Sequence, residues 1–164
     1  MIALRPCQPE DFDILLDLAN QAVPFALKEN AEWLKYRKAF DESRYTRRHY
    51  LAVDGEKAFG YGCLEQQGDD PKWLRIYVVC SPENLLGETG SLLYGQLLQD
   101  GKELGASRLW VREFLADEPI REFFMSQGFK EYRRFSIPGQ RPMVALSLDL
   151  EQGKVQRTFQ VHRT

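Results

Sequence analysis

Apolar residues along the chain recur in two periods, and the switches between them mark out its elements. Phe12, Leu15, Leu16, Leu18, Ala19 and Val23 fall at helical spacing behind Glu10 and Asp11. A helix is expected there, with acids in the first turn, where its dipole favours them, and Pro24 at its end. Before it, Ile2 to Arg5 reads as a short strand stopped by Pro6 and Pro9. A second, less regular amphipathic helix is expected from about Ala31 to Phe40. His49 to Val53 then reads as a strand, Asp54-Gly55 as a hairpin turn, and Lys57 to Gln67 as the return strand, with Gly60 and Gly62 as weak points or bulge sites. After a loop at Gly68 to Pro71, Trp73 to Cys80 ends apolar on both faces, as a covered central strand does.

The second half of the chain alternates in the same way. Leu93, Leu97 and Leu104 form one helical stripe, widened by Leu98 and Gly101, and Gly105 sits where a helix cap belongs. Ser107 to Phe114 reads as a strand, and Pro119 opens a helix that packs Ile120, Phe123 and Phe124 and ends at Gln127-Gly128. Phe129 to Ile137 and Pro142 to Leu150 form two closing strands joined by Pro138-Gly139. The order strand, helix, helix, three strands, helix, strand, helix, two strands predicts an α/β domain. Its expected form is a single mixed central sheet of about seven strands with helices on both faces. Residues 1–150 form that domain, and residues 151–164 read as a polar tail whose Phe159 and Val161 suit a short extra strand or an intermolecular contact.

Composition narrows the partners. An apolar share of 43% over 164 residues suffices for one domain with its own core, without covalent staples. The net charge of −2 gives no basic footprint, so nucleic acid is not expected as a partner. No apolar run approaches the roughly 20 residues of a membrane span, and the N-terminus enters a strand instead of a signal peptide. Cys7, Cys63 and Cys80 are odd in number and scattered, which suits reduced thiols in a cytoplasmic protein more than a disulfide framework or metal site. His49 and His162 lack spaced partners, so metal and triad chemistry are not expected.

Chemistry concentrates between Val78 and Leu104, where an apolar strand passes through Ser81-Pro82-Glu83-Asn84-Leu85-Leu86 into Gly87-Glu88-Thr89-Gly90-Ser91 at the head of a helix. The N–H groups of a helix's first turn have no intrahelical acceptors, and with the dipole they form a cradle for phosphate. Glycine allows close approach, and the Thr89 and Ser91 hydroxyls add donors. An ordinary strand–turn–helix connection has the same composition.

Two places in this order resemble the GNAT-fold N-acyltransferases, which use acetyl-coenzyme A. One is Pro82-Glu83-Asn84-Leu85-Leu86-Gly87-Glu88-Thr89, similar to the family's Arg/Gln-x-x-Gly-x-Gly/Ala turn; the other is Phe123-Phe124-Met125-Ser126-Gln127-Gly128-Phe129, similar to its small helix ending in Gly-Phe. The resemblance covers nearly all of Ile2 to Leu150 and implies a GNAT-like (acyl-CoA N-acyltransferase) fold. It further implies that Leu86, Gly87, Glu88, Thr89, Gly90 and Ser91 hold the cofactor pyrophosphate. The pantetheine arm would run along Val78, Val79 and Cys80, where a main-chain donor steadies the oxyanion. Asp117 and Phe124 stand where relatives carry an asparagine and a tyrosine beside the cofactor. The departures are Asn84 for the leading Arg or Gln, Thr89 for a smaller residue, a carboxylate at Glu88, and Phe124, which has no proton to give.

The implied reaction is acetyl transfer from acetyl-CoA to a primary amine of a small molecule or peptide, by direct attack, in a monomer or homodimer. Glu65 and Glu113 are the candidate bases and Tyr77 a candidate acid, with Tyr94 a possible replacement for the missing tyrosine; strand carboxylates are as readily solvated, and both phenols as readily packed. Cys80 suits packing beside the cofactor better than a nucleophilic role. Trp33, Tyr36 and Phe40 suit either the acceptor pocket or the core, and Arg44, Arg47 and Arg48 a solvated rim beside the cofactor. Two alternatives stay open: a coenzyme A-binding sensor or scaffold with a degenerate catalytic site, and a protein that shares only the fold.

Overall fold

A computed structural model of the chain describes residues 1–22, 47–136, 138–139 and 141–150. The helix expected at Ala31 to Phe40, with Trp33, Tyr36 and Phe40, lies outside these residues, as do Pro24, Arg44 and the tail with Phe159, Val161 and His162.

The chain begins with strand β1 (Ala3–Pro6) and a single 3-10 turn (Pro9–Asp11) that runs into helix α1 (Phe12–Ala22). Asp11 fastens this entry. Its carboxylate accepts from the Gln8 N–H at 2.8 Å and from both terminal nitrogens of Arg5 at 2.8 and 2.9 Å. Strands β2 (Arg47–Asp54) and β3 (Lys57–Gln66) form the expected hairpin, turning at Gly55 with φ of 63°. Strand β4 (Trp73–Val79) leads through the four-residue helix α2 (Pro82–Leu85) into α3 (Glu88–Glu103). Strand β5 (Arg108–Phe114), helix α4 (Glu118–Ser126) and strands β6 (Lys130–Phe135) and β7 (Met143–Asp149) complete the order.

The seven strands make one sheet in the order β1-β2-β3-β4-β5-β7-β6. Neighbours are antiparallel except β4 and β5, which run parallel. Strand alternation sorts the two faces. Leu74, Ile76 and Val78 of β4 join Leu93 and Leu97 of α3 and Phe123 and Phe124 of α4 in one core. Val79 joins Leu51, Tyr61 and Cys63 beneath Phe12, Leu15 and Leu18 of α1 in the other. Helices therefore cover both faces, as the apolar pattern predicts.

Gly60 and Gly62 act by letting α3 close down on β3. A Cβ at Gly60 would lie 2.8 Å from Thr89 Cγ2, and one at Gly62 would lie 3.1 Å from Leu93 Cδ2. The irregularity sits next to Gly60, at Phe59: Ala52 pairs with Gly60 and Val53 with Ala58, leaving Phe59 unmatched. The Phe59 carbonyl is taken instead by the Asn84 side-chain amide at 3.2 Å. On the far half of α3, buried Asp100 accepts from Tyr50 Oη at 2.5 Å, Gln96 at 3.0 Å and Arg48 at 3.2 Å, which ties the helix to β2.

Candidate functional site

The parallel pair β4–β5 opens like a wedge. Its register runs only from Trp73↔Arg108 through Leu74↔Leu109 to Arg75↔Trp110. Beyond that point β4 continues to Val79 on the arm of β3, and β5 continues to Phe114 on the arm of β7. The β4 edge from Ile76 onward thus faces a gap in which backbone donors and acceptors have no strand partner among the described residues. Such an edge pairs readily with an extended, amide-bearing ligand.

The wide end of the gap leads into the α2–α3 turn. Ser81 caps α2, its hydroxyl accepting from the Asn84 N–H at 3.2 Å. The Leu86 and Gly87 N–H groups turn inward, to Pro82 O at 3.1 Å and Asn84 O at 3.2 Å, and the Ser91 N–H reaches Gly87 O at 3.4 Å. Of the six residues predicted to cradle phosphate, this leaves the N–H groups of Glu88, Thr89 and Gly90 as the first-turn donors free of backbone acceptors. The two glycines differ. A Cβ at Gly90 would sit 1.8 Å from the Leu85 carbonyl oxygen, so the side-chain direction of Gly90 is closed by α2 and its bare Cα is what lets α3 lie against α2. Gly87 is exposed, with φ of −102° and only ordinary contacts for an added Cβ, so its bare backbone is what an incoming group meets. Leu86 is 66% exposed, and the Glu88 side chain also points outward.

Candidate side chains sit on both sides of the wedge. Glu65, Arg75 and Trp110 are matched across β3, β4 and β5 and share the α1 face, with Tyr77 two residues further along β4. Glu65 is 4% exposed and already engaged. Arg47 Nη2 lies 2.8 Å from its Oε2, and the Gln67 amide donates to Oε1 at 2.7 Å. Tyr77 is half-buried, with the Arg75 guanidinium 4.0 Å above its ring. Glu113 pairs with Val144 of the opposite core, three residues past Trp110, so it faces the α3–α4 side. The two candidate bases therefore lie on opposite faces of the sheet. Arg47 is largely buried and turns to Glu65 on one face of β2, whereas Arg48 turns on the other face to Asp100 and Glu103 and stays partly exposed.

No protein-family model matches the chain, and no curated protein matches it in sequence. Solved structures do match in shape. A protein from Desulfovibrio desulfuricans assigned as an acetyltransferase of the GNAT family shares 13% identity at a TM-score of 0.75, over 91% of this chain and 99% of that one. Spermidine/spermine N-acetyltransferase SpeG from Vibrio cholerae shares 15% at 0.66, over 94% and 96%. The yncA protein from Salmonella typhimurium, assigned as an acetyltransferase and solved with its cofactor acetyl-CoA, shares 12% at 0.67, over 91% and 94%. The chain has the GNAT fold.

Within that fold several residues expected at the site belong to the core. Phe124 is fully buried in an aromatic cluster with Tyr94, Phe123 and Phe129, ring centroids 5.2 to 6.2 Å apart, so its side chain does not line the wedge. Tyr94 packs in the same cluster, and burial pushes its phenol up to about 12, which makes it a poor stand-in for a tyrosine acid. Burial likewise pushes the Cys80 thiol up to about 12 and removes it as a nucleophile. Asp117 caps α4, its carbonyl accepting from the Arg121 N–H at 3.2 Å. Burial raises its carboxyl pKa, opposed by the Ile120 N–H and the Arg121 charge.

Sequence reasoning passed over Arg75 and Arg112. Both lie on the α1 face beside Trp110, and the Nε of each is buried with no hydrogen-bond acceptor among the described residues. The signal was present: an arginine between Leu74 and Ile76 at the inward phase of a strand whose neighbours are all apolar.

Proposed function

We propose that the protein transfers an acetyl group from acetyl-coenzyme A to a primary amine by direct attack. The observation that carries this reading is the β4–β5 wedge, which opens toward the first turn of α3. Bound there, acetyl-coenzyme A supplies an acetyl group activated as a thioester. The N–H groups of Glu88, Thr89 and Gly90 would hold its pyrophosphate, aided by the dipole of a 16-residue helix. The β4 edge at Val78, Val79 and Cys80 would bind the amide-bearing arm as an added strand.

Holding the amine and the acetyl group together supplies much of the rate, so the demands on side chains are modest. The amine nitrogen gives up a proton and takes the acetyl group, forming the C–N bond as the C–S bond of the thioester breaks, and the departing sulfur takes up a proton to leave as free thiol. Tyr77, on β4 beside the wedge, is the best-placed acid. Both oxygens of Glu65 are occupied by Arg47 and Gln67, and Glu113 lies past the last β4–β5 pair on the opposite face from Tyr77, so Glu113 is the base to test first.

A second reading is a coenzyme A-binding sensor or scaffold, and it is favoured by the commitment of Glu65 to Arg47 and by the burial of Phe124 and Tyr94. The deciding experiment follows free thiol released from acetyl-coenzyme A with a panel of amines. Release above background with one amine class is the expected result. Silence from every class, with coenzyme A still bound, would favour the sensor.

A further inference from the structure

A buried positive charge beside the wedge has no counter-ion among the described residues. Arg75 is 5% exposed and lies directly across from Glu65. That carboxylate is spent on Arg47 and Gln67, as its 2.8 and 2.7 Å contacts show. Arg75 reaches only the Gln67 side-chain oxygen, from Nη1 at 3.2 Å, and its Nε has no acceptor. Among the described residues no carboxylate lies within ion-pair distance of it. Two guanidinium groups thus face one carboxylate that only Arg47 contacts, and Arg112 adds a third cation to the same face of the wedge. A buried charge that nothing of opposite sign offsets weakens the fold, because its lost hydration is not replaced.

We propose that the acceptor amine also carries an acid, as an amino acid does, and that Arg75 binds this acid. The inference rests on the acetyl-transfer reading and narrows its substrate. The Tyr77 and Trp110 rings, 4.0 and 5.2 Å from the guanidinium carbon, hold the group in place. Its in-plane N–H donors remain for an oxyacid, whose two oxygens match the guanidinium fork. The Arg75 head lies over Tyr77, two residues and about 7 Å along the strand from Val79. An amine and an acid a few bonds apart span that distance. A polyamine would instead bring more positive charge to a face already holding Arg47, Arg75 and Arg112.

The test compares thiol release and ligand-induced melting shifts for α- and γ-amino acids, the same compounds with the acid converted to an amide, and spermidine. The acids are expected to react and to raise the melting temperature; the amides and spermidine are expected to do neither. Arg75→Met should raise KM for the acid at least about thirtyfold, with partial recovery in Arg75→Lys and unchanged coenzyme A affinity. Its melting temperature should hold or rise, because an uncompensated charge is removed, whereas a merely structural arginine would lower it. Amides or spermidine performing as well as acids, or Arg75→Met keeping the wild-type KM, would overturn the proposal. So would the absence of any melting shift with the acids. If coenzyme A itself fails to bind, the acetyl-transfer reading falls separately, and the melting shifts still report whether Arg75 recognises acids.

Discussion

Glu65 shows how a residue's surroundings reassign it. As a strand carboxylate facing the cleft it qualifies as a base, but Arg47 and Gln67 hold both of its oxygens. Glu65→Gln removes the buried negative charge that Arg47 faces at 2.8 Å, and a loss of about 3 kcal/mol in stability is expected from denaturant unfolding. The pH profile of turnover should keep its shape; loss of the acidic limb would restore Glu65 as the base. The pairing was not legible in the sequence, because Arg47 and Glu65 meet only through the β2–β3 register, 18 residues apart. Phe124 was placed by likeness to relatives, whereas its burial follows from the apolar run Phe123-Phe124 with Phe129 and Tyr94.

At the scale of elements, the hydrophobic pattern carried nearly everything. All seven strands and the three longer helices among the described residues appear within one or two residues of their expected bounds, because each buries a face whose period is written in the chain, whereas the four-residue helix Pro82–Leu85 was read as part of a turn. The wedge is different. Nothing in Trp73 to Val79 or Arg108 to Phe114 announces that their pairing ends at Arg75↔Trp110; it follows from how β3 and β7 draw the two strands apart. The α2–α3 turn was visible as a motif, but the division of labour between its glycines was not. Gly90→Ala should cost about 3 kcal/mol by overpacking against the Leu85 carbonyl, read as a lower melting temperature. Glu88→Gln should tighten coenzyme A binding about threefold at low salt and less at high salt, as removal of an exposed carboxylate beside a phosphate site would.

For the molecule as a whole, one half-buried histidine adds a pH dependence that the sequence does not display. His49 is held below its usual pKa, at about 4, chiefly by burial and then by the Arg47 charge, and its Nδ1 lies 3.1 Å from Tyr61 Oη. Above pH 6.5 the ring is neutral in both folded and unfolded chains and costs nothing. As pH falls from 6.5 toward 4 the unfolded chain takes up the proton first, so stability is lost through that window. After allowance for partial exposure the loss is on the order of 2 kcal/mol. His49→Gln should flatten the melting-temperature slope between pH 6.5 and 4 relative to the parent.

The central claim, that the wedge and the α3 first turn form one coenzyme A site, is tested most directly by calorimetric titration of coenzyme A into the parent protein and into Gly87→Glu. The substitution is sterically tolerated, since Gly87 has an ordinary φ and an added Cβ meets nothing nearer than 3.5 Å. Saturable one-to-one binding by the parent, abolished in a variant that melts within a few degrees of it, is the expected result. Equal affinity in the two proteins, or none in the parent, would contradict the account.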